Sequence, residues 1–191
     1  MLNIVIFGAP GSGKGTQSDL IKKNLNLAHI STGDVLRQEM KNESELGKIA
    51  KGYIEKGQLV PDDLICDMLA NTLDALANAK GVIFDGFPRT IPQAEALEKI
   101  LAKRRMEVSI LLDLQVDDEE LMKRLLERGK ISGRSDDNEE TILSRLQVYH
   151  SQTAPLAEYY KEKGKHVIIK GVGTIEEIFC RIKEAIDRIE N

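Results

Sequence analysis

Leu2-Asn3-Ile4-Val5-Ile6-Phe7-Gly8-Ala9-Pro10-Gly11-Ser12-Gly13-Lys14-Gly15-Thr16 stands at the start of the chain, after a single methionine. An apolar run of strand length passes into a glycine-rich turn and then into a helical pattern headed by a lysine. That arrangement makes a phosphate cradle. Backbone that must wrap closely around an anion has little room for side chains, so glycine is favoured there. The freed N–H groups and the helix N-terminus then point at the phosphates, and Lys14 adds a point charge. The residue after Lys14 is Gly15, where most such loops carry Ser or Thr to hold magnesium, and Thr16 comes one place late. A metal used here is therefore expected to be held through water or through another carboxylate.

A length of 191 residues fits one domain, or one core with small insertions, and suffices for a sizeable core. The net charge of −4 argues against a nucleic-acid binder, whose footprint would be basic, and makes any cationic phosphate site a local one. No apolar run approaches membrane-spanning length, and the first strand is too short for a signal peptide. Cys66 and Cys180 are isolated, without metal-ligand spacing. Each falls in a helical apolar pattern, so both are expected as buried thiols in a reducing cytoplasm.

Short apolar runs at 2–7, 28–31, 81–85, 108–114 and 166–170 alternate with helical patterns, which implies a parallel α/β sheet. The helix after the cradle runs to about Asn24. Residues 62–79 place Leu64, Ile65, Met68, Leu69, Leu73 and Leu76 on one helical face. Pro92 opens a helix through Lys103. Asp117 is expected to cap 118–128, with Gly129 ending it. Thr174 and Glu177 form a capping box for 175–189, where Ile175, Ile178, Ile182, Ile186 and Ile189 recur at helical spacing. Two stretches break the alternation. Residues 33–60 hold two short helical patterns where one crossover helix would do, and 129–138 is polar and rich in turn formers. Loops at the carboxyl edge of such a sheet are where α/β proteins put substrate sites and lids.

Val82-Ile83-Phe84-Asp85 is an apolar strand ending in a carboxylate, the place for an acid near bound magnesium. Asp113 ends a competing strand; Asp85 is preferred because Gly86-Phe87-Pro88-Arg89 follows it with a turn and an arginine. Gly86 stands where an ATPase would put a glutamate to activate water, which favours transfer to another acceptor over hydrolysis. The Asn-Lys-x-Asp pattern that specifies guanine is missing, as is an Asp-x-x-Gly switch. Arg37, Arg89, Arg128, Arg134 and Arg145 sit where helix packing does not demand them, and arginine suits bidentate phosphate contacts and charge on a transferring phosphoryl group.

With these motifs the chain closely resembles the adenylate kinases, nucleoside-monophosphate kinases that convert ATP and AMP to two ADP. The matching residues are Gly8 through Gln17, Ser31-Thr32-Gly33-Asp34 with Arg37, Leu59-Val60-Pro61, and Asp85-Gly86-Phe87-Pro88-Arg89. Ser132-Gly133-Arg134, Asp136 through Thr141, and Arg145 complete the set, in the family's order from residue 2 to about 180. Gly15 after the lysine is normal in that family. The resemblance implies that Gly11, Ser12, Gly13, Lys14, Gly15 and Thr16 hold the ATP phosphates, with Gly173 beside the ATP adenine. It implies that Thr32, Arg37, the backbone of Gln58, Leu59 and Val60, the turn Gly86, Phe87, Pro88 and Arg89, and Gln93 hold AMP. Arg128 on the ATP side and Arg134 and Arg145 on the AMP side would close over the phosphoryl group, acting catalytically with Lys14 and Arg89. Asp85 would orient Mg2+ through water.

The implied fold is a three-layer α/β/α P-loop domain over 1–191, with a five-stranded parallel sheet in the order 2-3-1-4-5. An AMP-binding insertion at 31–60 and a short lid at 128–138 would sit on that core. The lid lacks the four cysteines some relatives carry, so no structural zinc is expected. The implied partners are ATP and AMP or ADP, not nucleic acid or membrane, for a cytoplasmic monomer. A UMP/CMP kinase of the same fold is the nearest rival; that group typically has Ala at the position of Thr32 and Asn at that of Gln93. A nucleotide-binding protein with a dead site would lack Arg89, Arg134 or Arg145, and all three are present.

Overall fold

The computed structural model of the chain describes residues 1–76 and 79–190. Among these, β1 (Leu2–Phe7), β2 (Ala28–Ser31), β3 (Gly81–Asp85), β4 (Ile110–Gln115) and β5 (His166–Lys170) form one parallel sheet in the order β2-β3-β1-β4-β5. The implied strand order is thus found. The central strand β1 pairs Ile4 with Ile83 on one side and with Ile110 on the other. It is covered on both faces, which is why it reads as a continuous apolar run.

The two-residue period of each strand divides the core into two layers. Val5, Phe7, Val82, Phe84 and Leu111 face α4 (Asp62–Asp74), α5 (Ile91–Ala102) and α8 (Leu156–Glu162), where Leu69, Leu73, Leu97, Leu101, Leu156 and Tyr160 are buried. Ile4, Ile6, Ile83, Ile110 and Leu112 face α1 (Lys14–Leu25) and α9 (Ile175–Glu190), through Ile21, Ile178, Ile182 and Ile186. The capping box of α9 is in place: Thr174 N–H donates to Glu177 Oε2 at 2.8 Å, and Glu177 N–H to Thr174 Oγ1 at 3.2 Å. Ile175 and Ile189, at the two ends of its apolar stripe, remain exposed.

The insertion between β2 and β3 carries α2 (Thr32–Lys41) and α3 (Glu45–Ile54), capped by Ser31 and Ser44. Beyond β4 come α6 (Asp118–Ser132), α7 (Glu139–Val148) and a π-helical turn at Tyr149–Thr153. A third apolar cluster, Ala9, Leu121, Leu125, Ile142 and Leu146, binds α6 and α7 to the cradle.

Four expectations are corrected. The helix opening at Asp62 ends at Asp74, short of 79, and residues 77–78 of that span lie outside the described residues. Gly129 does not end α6, which continues to Ser132 and stops at Gly133 in the left-handed region (φ 63°). A Cβ on Gly129 would lie 2.6 Å from the Asp137 carbonyl oxygen, so this glycine serves a close crossing of chain and not a helix stop. Residues 128–132 of the expected lid are therefore helical. Asp117 makes no side-chain cap; only its carbonyl serves, accepting from Leu121 N–H at 2.9 Å. Cys180 is exposed and Cys66 half-buried, because Cys180 lies off the stripe that α9 turns to the sheet.

Candidate active site

The turn between β1 and α1 puts Gly8, Gly11 and Gly13 at φ 141°, 85° and 98°. At Gly8 the space is also closed, since a Cβ would meet Leu114 O at 2.6 Å. α1 starts at Lys14 with no side-chain cap and no acidic residue in its first turn. Its first N–H groups are thus left for an anion. Lys14 curls back over the loop, and its Nζ donates to Gly8 O at 2.7 Å and Ala9 O at 2.9 Å. Crowding on the cleft floor lowers the Lys14 pKa to about 7. Burial is the main cause, Asp85 opposes it, and Arg89, Arg145 and Arg128 reinforce it.

Asp85 ends β3, buried in the wall of the same cleft, with His29 Nε2 3.5 Å from its Oδ2. A Cβ on Gly15 would sit 3.8 Å from that oxygen, so β3 aims the carboxylate at the start of α1. The competing Asp113 is engaged elsewhere, by His166 Nε2 and Gln115 Nε2, each at 3.0 Å.

Across the cleft, Gly86 adopts φ 76°. Its carbonyl accepts from Thr32 Oγ1 at 2.9 Å and Arg89 Nε at 2.7 Å. The Arg89 guanidinium is crowded as well: burial and then Arg145 bring its pKa down to about 10, against the pull of Asp85. Arg37 pairs with Asp34. From α6, Arg128 grips Asp137 with two bonds, Nε to Oδ2 at 2.6 Å and Nη2 to Oδ1 at 2.8 Å. Arg145 Nη1 donates to the same Oδ1 at 2.8 Å and lies 2.9 Å from Asp136 Oδ2. Burial pushes the Asp137 carboxyl up, but the two guanidiniums hold it below the usual range. Arg134 is half-buried nearby, its pKa lowered by burial and by Arg37 and Arg128. The insertion leans on α7: Thr141 Oγ1 donates to Glu55 O at 3.3 Å, and Ser144 Oγ to Lys56 O at 2.8 Å.

These elements line one cleft of about 750 Å³, to which the cradle, Thr32, Gly86 and the arginines all contribute. The sequence model of the adenylate kinase family matches residues 6–165. The chain belongs to the adenylate kinase family. A protein named adenylate kinase from Parabacteroides distasonis is 74% identical over 190 residues, covering 100% of both chains. Another from Phocaeicola vulgatus is 64% identical over 189 residues, 99% of this chain and 100% of the relative. One from Porphyromonas gingivalis is 55% identical over 188 residues, 98% of this chain and 97% of the relative.

In this adenylate kinase cleft the structure gathers Gly11, Ser12, Gly13, Lys14, Gly15, Thr16, Thr32, Arg37, Gln58, Leu59, Val60, Asp85, Gly86, Pro88, Arg89, Gln93, Arg128, Arg134, Arg145 and Gly173. Phe87 is the exception: the residue is 1% exposed, packs in the core layer and does not line the cleft. Sequence reasoning missed Arg124, which lines the cleft and donates to Gly171 O at 3.2 Å. It also assigned no task to Asp34, Asp136 and Asp137, although two consecutive acids just after a lid arginine were a signal. Gly57 was missed too: at φ 69° a Cβ there would lie 2.9 Å from Thr141 O.

Proposed function

We propose that the cleft is a two-ended phosphate clamp within one P-loop kinase domain. ATP is seated on Gly11 through Thr16, with its adenine beside Gly173, and AMP lies between the insertion at 31–60 and the Gly86–Gln93 segment. The family's reaction is reversible transfer of the γ-phosphoryl group of ATP to AMP, giving two ADP, and this chain is an enzyme of that kind. The observation that supports the assignment of roles is that Arg89, Arg128, Arg134 and Arg145 line the same cleft as the cradle, Thr32 and Gly86.

An AMP phosphate oxygen attacks the γ-phosphorus, and the bond to the bridging oxygen breaks with its electron pair leaving on ADP. The attacking oxygen is already ionised, so no strong general base is required. Catalysis is then positioning plus charge stabilisation. Lys14 and the N–H groups at the start of α1 neutralise the donor phosphates. Arg89 and Arg37 hold the acceptor phosphate. Arg128, Arg134 and Arg145 turn from their aspartate partners or from neighbouring arginines towards the charge spread over the transferring group. The lid at 128–138 and the insertion at 31–60 close over the substrates and exclude water, which would otherwise accept the phosphoryl group.

Among the described residues, no group of three or more His, Cys, Asp and Glu side chains is placed to hold a metal. Asp85 offers one buried carboxylate beside the cradle, and Gly15 offers no hydroxyl. This donor set fits Mg2+ carried on the nucleotide phosphates and oriented by Asp85 through water. Bound there, the ion supplies charge neutralisation on the phosphate oxygens. No helix among the described residues is long and apolar enough to cross a membrane. We place the protein as a monomer in a reducing cytoplasm, the compartment that two unpaired cysteines suit.

The test is to incubate the protein with ATP, AMP and magnesium and to count ADP by chromatography, then to replace AMP by UMP, CMP or GMP. ADP should form at two per ATP consumed, with AMP the preferred acceptor. ATP loss at the same rate without AMP would show a hydrolase and overturn the reading.

A further inference from the structure

Gln93 is 1% exposed, and both ends of its amide are engaged. Its Oε1 accepts from Arg89 N–H at 2.7 Å, and its Nε2 donates to Asp62 Oδ1 at 2.7 Å. The second Asp62 oxygen accepts from the Thr90 hydroxyl at 3.1 Å, and Thr90 Oγ1 accepts from Gln93 N–H at 3.2 Å. Asp62 is the first residue of α4, at the exit of the 31–60 insertion; Gln93 and Thr90 stand at the start of α5. Attraction to a helix N-terminus explains an acid in the first turn of α4. It does not explain why Asp62 reaches across to α5 while Asp63, in the same turn, is exposed.

We propose that Asp62 sets the acceptor-base specificity of the enzyme by fixing which way the Gln93 amide faces. A carboxamide can flip, exchanging donor for acceptor in the same place. A carboxylate only accepts, so the amide nitrogen must face Asp62. The Arg89 N–H only donates, so the amide oxygen must face Arg89. One amide proton and one lone pair remain, in a fixed order. Adenine presents an acceptor at N1 beside a donor at its 6-amino group. Hypoxanthine presents the reverse, a donor at N1 and an acceptor at O6. With the base held in one seating by its ribose phosphate, a locked amide matches the first and opposes the second. The proposal rests on the reading that Gln93 helps to hold AMP, and deepens it by placing the Gln93 amide on the base. Asp62 is a positioning residue here, since it acts on the base only through Gln93.

The experiment measures kcat and KM for AMP and for IMP, its hypoxanthine counterpart, with ATP as donor. It compares wild type, Asp62→Asn, Asp62→Ala, Gln93→Leu and the Asp62→Ala/Gln93→Leu double variant, each checked for folding by circular dichroism. The wild type should favour AMP over IMP in kcat/KM by at least about 100-fold. Asp62→Ala should cut that ratio by about tenfold or more, chiefly through a higher KM for AMP and a usable IMP. Asp62→Asn is nearly isosteric and preserves the fold if Ala does not; because it can donate as well as accept, its ratio should fall in between. In the Gln93→Leu background, Asp62→Ala should change the ratio no further. Wild-type ratios in both Asp62 variants beside a collapsed ratio in Gln93→Leu would overturn the role of Asp62 alone. An unchanged ratio in Gln93→Leu would instead overturn the base contact, and the Asp62 proposal with it.

Discussion

Asp137 joins α6 to α7, and removing its charge should loosen the two helices together. The side chain is 0% exposed and takes three bonds, two from Arg128 on α6 and one from Arg145 on α7. Charge-assisted bonds of this kind contribute about 1.5–3 kcal/mol each, and breaking a buried pair from one side costs about 3–5 kcal/mol. The Arg128 side chain is 33% exposed and Arg145 18%, so water recovers part of that loss. We therefore expect Asp137→Asn to cost about 3 kcal/mol. For a chain of this size that is a fall in Tm of about 6–12 °C.

The pH dependence has a definite sign. The folded carboxyl of Asp137 titrates below its unfolded value, so its contribution is present above roughly pH 4 and lost as pH falls through the folded value. Thermal unfolding of wild type and Asp137→Asn, followed by circular dichroism from pH 7 to pH 3, should show a gap that is widest at neutral pH and narrows on acidification. A gap under about 2 °C at pH 7, or one that widens in acid, would refute the reasoning.

Three further outcomes follow from the same geometry. Because the Lys14 pKa lies at about 7 before phosphates arrive, ATP binding near pH 7.5 should take up protons as the charged form is stabilised. Calorimetry in buffers of different ionisation enthalpy should detect this in wild type and not in Lys14→Met; buffer-independent heats would contradict it. Arg89→Ala, Arg134→Ala and Arg145→Ala should each lower kcat/KM by at least about 100-fold without unfolding the protein, and steady-state kinetics showing near-normal turnover of folded Arg134→Ala would exclude its role. Gly129→Ala adds a Cβ 2.6 Å from the Asp137 carbonyl, so the gain in helix propensity should be outweighed by about 1–3 kcal/mol of overpacking, read as a lower Tm. A higher Tm would show that the loop gives way freely.

The elements and the phosphate cradle were legible because they depend on residues within a few positions of one another. The glycine spacing before Lys14, the apolar runs of the strands and the Thr174–Glu177 box each state their geometry locally. The family resemblance then supplied the strand order, which no local pattern contains. What the chain alone left undecided were matters of crossing. Gly129 reads as a helix stop until Asp137 is seen to pass over it. Phe87 reads as part of a binding turn until it is found in the core layer. Asp62 and Gln93 are 31 residues apart, and Thr141 and Glu55 are 86 apart, so their pairing exists only once α4 lies beside α5 and the insertion leans on α7. Local preference is set by a residue's own backbone and its neighbours in sequence, whereas a buried polar group is satisfied by whichever segment the packing brings to it. The sequence by itself therefore determined the apolar strands, the glycine-rich turn before Lys14 and the Thr174–Glu177 cap, though not every helix end. The tertiary structure decided which carboxylate restrains which arginine, and which way Gln93 faces.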